Sequence, residues 1–111
     1  MINDENKGEN KAVEITHDEV DVEEYAKRGE KVPHARRYRI RIDREKYTVM
    51  VPKMSGRELL KLAGKVPAER FTLTQKFRGG AVHPVGLDET AVFTTPGIER
   101  FMTLPLDQTE G

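Results

Sequence analysis

No cysteine occurs in this chain. That excludes disulfides, a thiol nucleophile and any cysteine-based metal site, and it is compatible with an intracellular protein. Neither sign of charge is in excess, with 19 basic and 19 acidic residues. The balance leaves no overall basic field to attract nucleic acid. No apolar run approaches the length of a membrane span. No apolar segment follows basic residues at the start, so no secretory signal peptide is expected. Apolar material is also limited: 36% of residues are hydrophobic and 34% are charged. Such a mean suggests one small core with some unpacked chain beside it.

What is present changes along the chain. Met1 to Ala12 is almost wholly Asn, Asp, Glu, Lys and Gly, a composition expected to be disordered. Val13 and Ile15 then alternate with Glu14 and Thr16, which reads as a short strand. A sparser alternation continues through Val20 and Val22 among acidic residues, although Asp21 to Ala26 also fits the start of a helix. Gly29 and Pro33 interrupt any regular element. The whole of 1–36 is therefore expected to be an N-terminal extension, largely disordered or ordered only on a partner, with Val13 to Val22 not packing on its own domain. Val13 and Ile15 are its candidate self-assembly arm, an added strand on a sheet edge of another copy.

From Arg37 the pattern is regular. Tyr38, Ile40 and Ile42 alternate with Arg37, Arg39 and Arg41, a strand with one apolar and one basic face. Tyr47, Val49 and Val51 make a second strand across the short polar connection Asp43 to Lys46, so the two form a hairpin. Ser55 and Glu58 have capping-box spacing. Behind them Leu59, Leu62 and Ala63 share one helical face, and Gly64 is placed as the stop. Phe71 to Phe77 reads as a third strand and Arg78-Gly79-Gly80 as a turn. Val82 to Val85 suits a short edge strand, and Ile98 leads into a last strand from Arg100 to Leu104. A hairpin, one helix and a return to the sheet give an α+β domain over 37–105, in the element order of a β-grasp fold. Ile40, Ile42, Val49, Leu59, Leu62, Leu73 and Phe101 are its expected core.

Tyr38-Arg39-Ile40-Arg41-Ile42-Asp43, Ser55-Gly56-Arg57-Glu58-Leu59-Leu60, Lys76-Phe77-Arg78-Gly79-Gly80, Pro84-Val85-Gly86-Leu87-Asp88 and the stretch from Arg100 to Gly111 together resemble the bacterial multiubiquitin-domain family of ubiquitin-like proteins. One domain is read here rather than several. The resemblance implies a protein modifier, a substrate of enzymes with no catalytic residues and no bound cofactor. Its reacting group is the carboxylate of Gly111. Its implied partners are a ubiquitin-type activating enzyme that uses ATP, a conjugating enzyme, a metallopeptidase and target proteins, all in the cytoplasm. Nucleic acid and membrane are not among them.

Within that reading, 106–111 is a flexible tail that enters an enzyme's cleft, with Leu106, Asp107, Gln108, Thr109 and Glu110 as the recognised residues. Unlike the Arg-Gly-Gly end of ubiquitin, it has a single glycine, preceded by Glu110. The internal Arg78-Gly79-Gly80 lies before core residues and reads as a turn. Ser55 and Glu58 are explained by the capping box. His17, His34 and His83 have no metal-ligand spacing, and the stripe Arg37, Arg39 and Arg41 suits a solvated face. Two other readings are a partner-docking or self-assembling β-grasp module, which would be indifferent to Gly111, and a sulfur carrier with a thiocarboxylate there.

Overall fold

Tyr38, Ile40 and Ile42 go inside because alternate side chains of a strand face one side, and all three are almost fully buried. They lie on β2 (Ala35–Ile42) of a computed structural model that describes residues 13–106. β2 turns through Asp43 and Arg44 into β3 (Glu45–Val49), its antiparallel partner. The connection is thus two residues long, and Glu45 and Lys46, read from the sequence as part of it, belong to β3. Asp43 takes a φ of 56°, a left-handed conformation that aspartate tolerates better than most side chains. A hairpin without glycine is possible for that reason.

The helix α2 (Gly56–Leu62) opens with the expected capping box. The Glu58 amide donates to Ser55 Oγ at 3.1 Å, and the Ser55 amide donates to Glu58 Oε1 at 2.8 Å. At the other end Gly64, with φ 77°, turns the chain so that the Lys65 amide reaches the Leu60 carbonyl. The expected spacing holds, but its phase differs. Gly56, Leu59 and Leu60 are the buried positions, while Leu62 and Ala63 are half-buried. The face starts at a glycine because the helix is docked there, backbone to backbone. The Gly56 and Arg57 amides donate to the Glu89 and Leu87 carbonyls, each at 2.9 Å, and a Cβ on Gly56 would lie 2.3 Å from the Gly86 oxygen.

β4 (Lys53–Ser55) and β7 (Thr90–Val92) form a separate two-stranded ladder at this docking point. In the main sheet, β5 (Phe71–Phe77) pairs antiparallel with β6 (Val82–Pro84) on one side and with β8 (Ile98–Pro105) on the other. Phe101, Phe93, Leu59, Leu60 and Ile98 fill the space between sheet and helix with the apolar face of β2. Sheet, single helix and connections over 37–105 are those of a β-grasp fold.

Residues before 37 do not behave as expected. β1 (His17–Asp21) pairs parallel with β2, Glu19 beside Arg37 and Asp21 beside Arg39. Asp21 then caps α1 (Val22–Lys27), its carboxylate accepting from the Glu24 amide. Val20, Val22, Ala26, Val32 and Ala35 are buried in the same core as β2. The reading of 13–36 as an extension that does not pack on its own domain is therefore corrected from His17 onward. Sparse apolar residues suffice here because each one is inserted. The part of that reading on 1–12 lies outside the described residues.

Two substitutions test this packing. Leu59→Ala removes a fully buried side chain and is expected to cost about 2–5 kcal/mol, a fall in melting temperature on the order of 10 °C or more for a domain of this size. Gly56→Ala is expected to destabilise by about 1–3 kcal/mol despite alanine's better helix propensity, because the atom it meets is main chain. An unchanged thermal transition in either variant would contradict the arrangement.

Candidate functional site

The terminal strand is held on two sides. Its ladder with β5 runs from Phe77 beside Ile98 to Phe71 beside Pro105. Phe101 sits opposite Ile42 of β2 and packs edge-on against Phe93, ring centroids 6.2 Å apart. The hairpin turn clamps the strand as well. The Asp43 amide donates to the Phe101 carbonyl at 2.8 Å. The Asp43 carboxylate accepts from the Thr103 amide at 2.8 Å and from Thr103 Oγ1 at 2.6 Å. The left-handed turn and the clamp are one feature, since the conformation at Asp43 presents amide and carboxylate to the same strand. Sequence reading missed this role; an aspartate opening a two-residue hairpin was its one signal.

Beyond Thr103 the chain leaves the core. Leu104 is 66% exposed. Pro105 lacks an N–H yet closes the strand, because the next amide takes over: Leu106 N–H donates to the Arg70 carbonyl at 2.7 Å. Leu106 is thus the last described residue of the expected tail and lies on the surface. Asp107, Gln108, Thr109, Glu110 and Gly111 lie outside the described residues. Val13 and Ile15, the expected arm, are 58% and 54% exposed and lead into β1. They sit at the start of β2, whereas β8, running parallel to β2, delivers Leu106 to the opposite end of the sheet.

Between those ends lies a patch of opposed charge. The acidic residues of β1 and α1 meet the basic stripe of β2. Asp18 pairs with Arg37, and Glu19 lies 3.3 Å from Arg37 Nε. Glu23, only 5% exposed, accepts from Arg41 Nε at 2.9 Å and lies 3.1 Å from Lys46 Nζ, which also reaches Asp21 at 2.5 Å. The stripe is therefore not a freely solvated face. The sequence carried the signal, an acidic run and a basic run of similar length, but no pairing could be inferred between segments read as unconnected. Burial alone would raise the Glu23 carboxyl. Hydrogen bonds from Arg41 and Lys46, and their charges, outweigh it and hold the group below its ordinary value of 4.5.

The remaining candidates resolve into structural roles. Ser55 and Glu58 are engaged with each other's backbone at the helix start. His83 packs edge-on against Phe77, centroids 5.4 Å apart, and His17 Nδ1 is 2.8 Å from Thr16 Oγ1. Among the described residues no group of three or more His, Asp or Glu is placed to hold a metal ion. No helix there is long and apolar enough to cross a membrane. Arg78-Gly79-Gly80 is a turn, with the Arg78 amide donating to the Gly97 carbonyl.

A depressed carboxyl stabilises the folded state fully above its unfolded value and loses that contribution as pH falls through the folded value. Glu23→Gln is therefore expected to lower stability by about 1–3 kcal/mol at neutral pH, less than for a wholly buried pair because Arg41 and Lys46 keep some solvent contact. The gap to the parent chain should close as pH drops below 4.5. Denaturant unfolding at pH 7 and near pH 3.5 measures it; a gap independent of pH would remove the carboxylate from the account.

No curated protein and no solved structure matches the chain significantly. A family model does, that of multiubiquitin, over residues 38–105. The match begins at Tyr38 of β2 and ends at Pro105 of β8, so it spans the β-grasp unit and stops short of β1 and α1. With more than half of its residues matched in this way, the chain belongs to the multiubiquitin family of ubiquitin-like domains.

Proposed function

We propose that this ubiquitin-like domain is a protein modifier whose reacting group is the carboxylate of Gly111. The observation that carries the reading is the course of β8. The strand is clamped by Asp43 and anchored by Phe101. It then passes out of the core at Leu104 to Leu106, on the surface at one end of the sheet. Five residues follow to Gly111, a reach of roughly 17 Å when extended. A rigid globule thereby presents a short polar leader, and a residue without a Cβ lets its last peptide lie in a narrow channel.

The reaction is acyl transfer. A carboxylate is a poor electrophile until one oxygen becomes part of a leaving group. An activating enzyme supplies this by joining the Gly111 carboxylate to the AMP moiety of ATP and releasing pyrophosphate. A nucleophilic side chain of the carrier enzyme displaces AMP to give a thioester or oxyester, and a target amine displaces the carrier to give an amide. A metallopeptidase cleaves finished conjugates, and would trim any residue added after Gly111. The chain takes part as substrate, and Leu106, Asp107, Gln108, Thr109 and Glu110 are what the enzymes read. The reading puts the protein in the cytoplasm, where the activating enzyme finds ATP. The other reading, self-assembly with Val13 and Ile15 as an added strand on another copy, has less support: both are exposed, but they lead into β1, which pairs with β2 of its own domain.

Incubation with the cognate activating enzyme, ATP and magnesium is expected to give ATP–pyrophosphate exchange and a labile covalent adduct. Deleting Gly111 should reduce the exchange by roughly 100-fold or more, since a Glu110 side chain then occupies the reacting position and displaces the carboxylate. The melting temperature should not move. Equal adenylation of the two chains would overturn the modifier reading.

A further inference from the structure

Away from Gly111, four of the nine exposed large apolar residues among those described converge on one groove of about 370 Å³. Val13 and Ile15 form one wall. Met50, 71% exposed, and Val92 contribute to the other, with Tyr38 beneath. Scattered apolar side chains on a surface are ordinary; a cluster gathered around a depression is not. The wall from Val13 to Ile15 exists only because β1 is pinned to β2, and the Thr16 amide continues that pinning by donating to the His34 carbonyl at 3.0 Å. One wall of the groove is therefore made by the segment outside the family match.

Its rim has one sign. Arg36 and Lys53 are its charged residues, and no aspartate or glutamate lines it. In a chain with equal numbers of acids and bases, that is a local imbalance. Lys53 makes no ion pair among the described residues. Arg36 has only a loose one, 3.8 Å from Asp18, whose nearer partner is Arg37. Glu14 alternates out of the groove and lines a neighbouring depression instead.

The geometry points to a docking site for a short segment of a partner protein that carries aliphatic side chains next to a carboxylate. Aliphatic groups would fill the trough between Ile15 and Met50, while the carboxylate would reach Lys53 and Arg36. Charge decides the occupant. A second copy docking by the same face would set two cationic rims against each other, which is unfavourable. Arg36 and Lys53 on the rim favour an occupant with a carboxylate beside its apolar groups. The site is independent of acyl transfer at Gly111 and would act equally on the free or the conjugated protein.

Selection of short random peptides against the immobilised full chain tests the assignment. Enriched sequences are expected to combine two or more aliphatic residues with an adjacent Asp or Glu. Titration of an enriched peptide should shift the amide resonances of Ile15, Tyr38, Met50 and Val92. Met50→Asp and Lys53→Glu should each weaken it by roughly tenfold or more. Both positions are exposed, so melting temperatures should match the parent's, and Val82→Asp, on the distant β6, should bind as the parent does. Replacing the peptide's acids by lysine should abolish binding to the parent chain. The proposal is overturned if selection yields no enrichment, if enriched peptides lack acids, or if the shifts map elsewhere. It is likewise overturned if the groove resonances move on concentrating the chain alone, which would make a second copy the occupant.

Discussion

One edge of β2 is divided between strands from opposite ends of the chain. Tyr38 and Arg39 pair with β1 and with β3, and Ile42 pairs with β3 and with β8. β1 and β8 must therefore lie on the same edge of β2, one after the other. α1 follows β1 and packs against both β2 and β8, bridging the place where one neighbour gives way to the next. Without β1, backbone N–H and C=O groups along the first half of β2 would lack partners, and a bare strand edge invites unwanted pairing. Hydrophobic burial by Val20, Val22 and Ala26 supplies the non-directional part of the attraction. The ion pairs of Glu23 and Asp21 add direction, since a register shift of β1 would set them against the wrong basic residues.

The family's unit was legible because its signals are local. Period-two alternation marked Tyr38 to Ile42 and Phe71 to Phe77, a capping box marked Ser55, and Gly64 marked the helix end. Each depends on residues a few positions apart, so no knowledge of the fold was needed. The phase of the helix was not legible, because Leu62 and Leu60 are equally apolar. What selects Leu60 is the approach of Gly56 to the Gly86 carbonyl, thirty residues along the chain. The helix start at Asp21 to Ala26 was among the readings, but the packing of β1 and α1 on their own domain was missed, for a different reason. Apolar residues are sparse there, and composition averages over them; a strand whose other face meets arginines can be largely acidic and still be core. The tail residues beyond Leu106 were read from type and order alone, and the fold bears on them only through the path of β8.

The same division of labour separates what the chain shares with its family from what is its own. The hairpin, helix and β8 lie within the matched region and present the exit at Leu104 to Leu106. β1 and α1 lie before it, and they build the acidic cover on the arginine stripe and one wall of the groove beneath Val13 and Ile15. Elements added to a common domain are where partner choice is most easily altered, because the frame that carries β8 to its exit is left as it was.

The position of β8 has a consequence for biosynthesis. It is the last of the described strands in chain order, and it carries Ile98 and Phe101 into the centre of the core. A nascent chain halted before Phe101 has Phe93 beside Tyr38 but without Phe101, and Ile42 of β2 without its β8 partner. Such a fragment has the hairpin and helix but no means of closing around them, and it would be exposed to proteolysis. A closed domain therefore reports that translation has passed β8, only a few residues before Gly111. Folding itself becomes a check that β8 has been made.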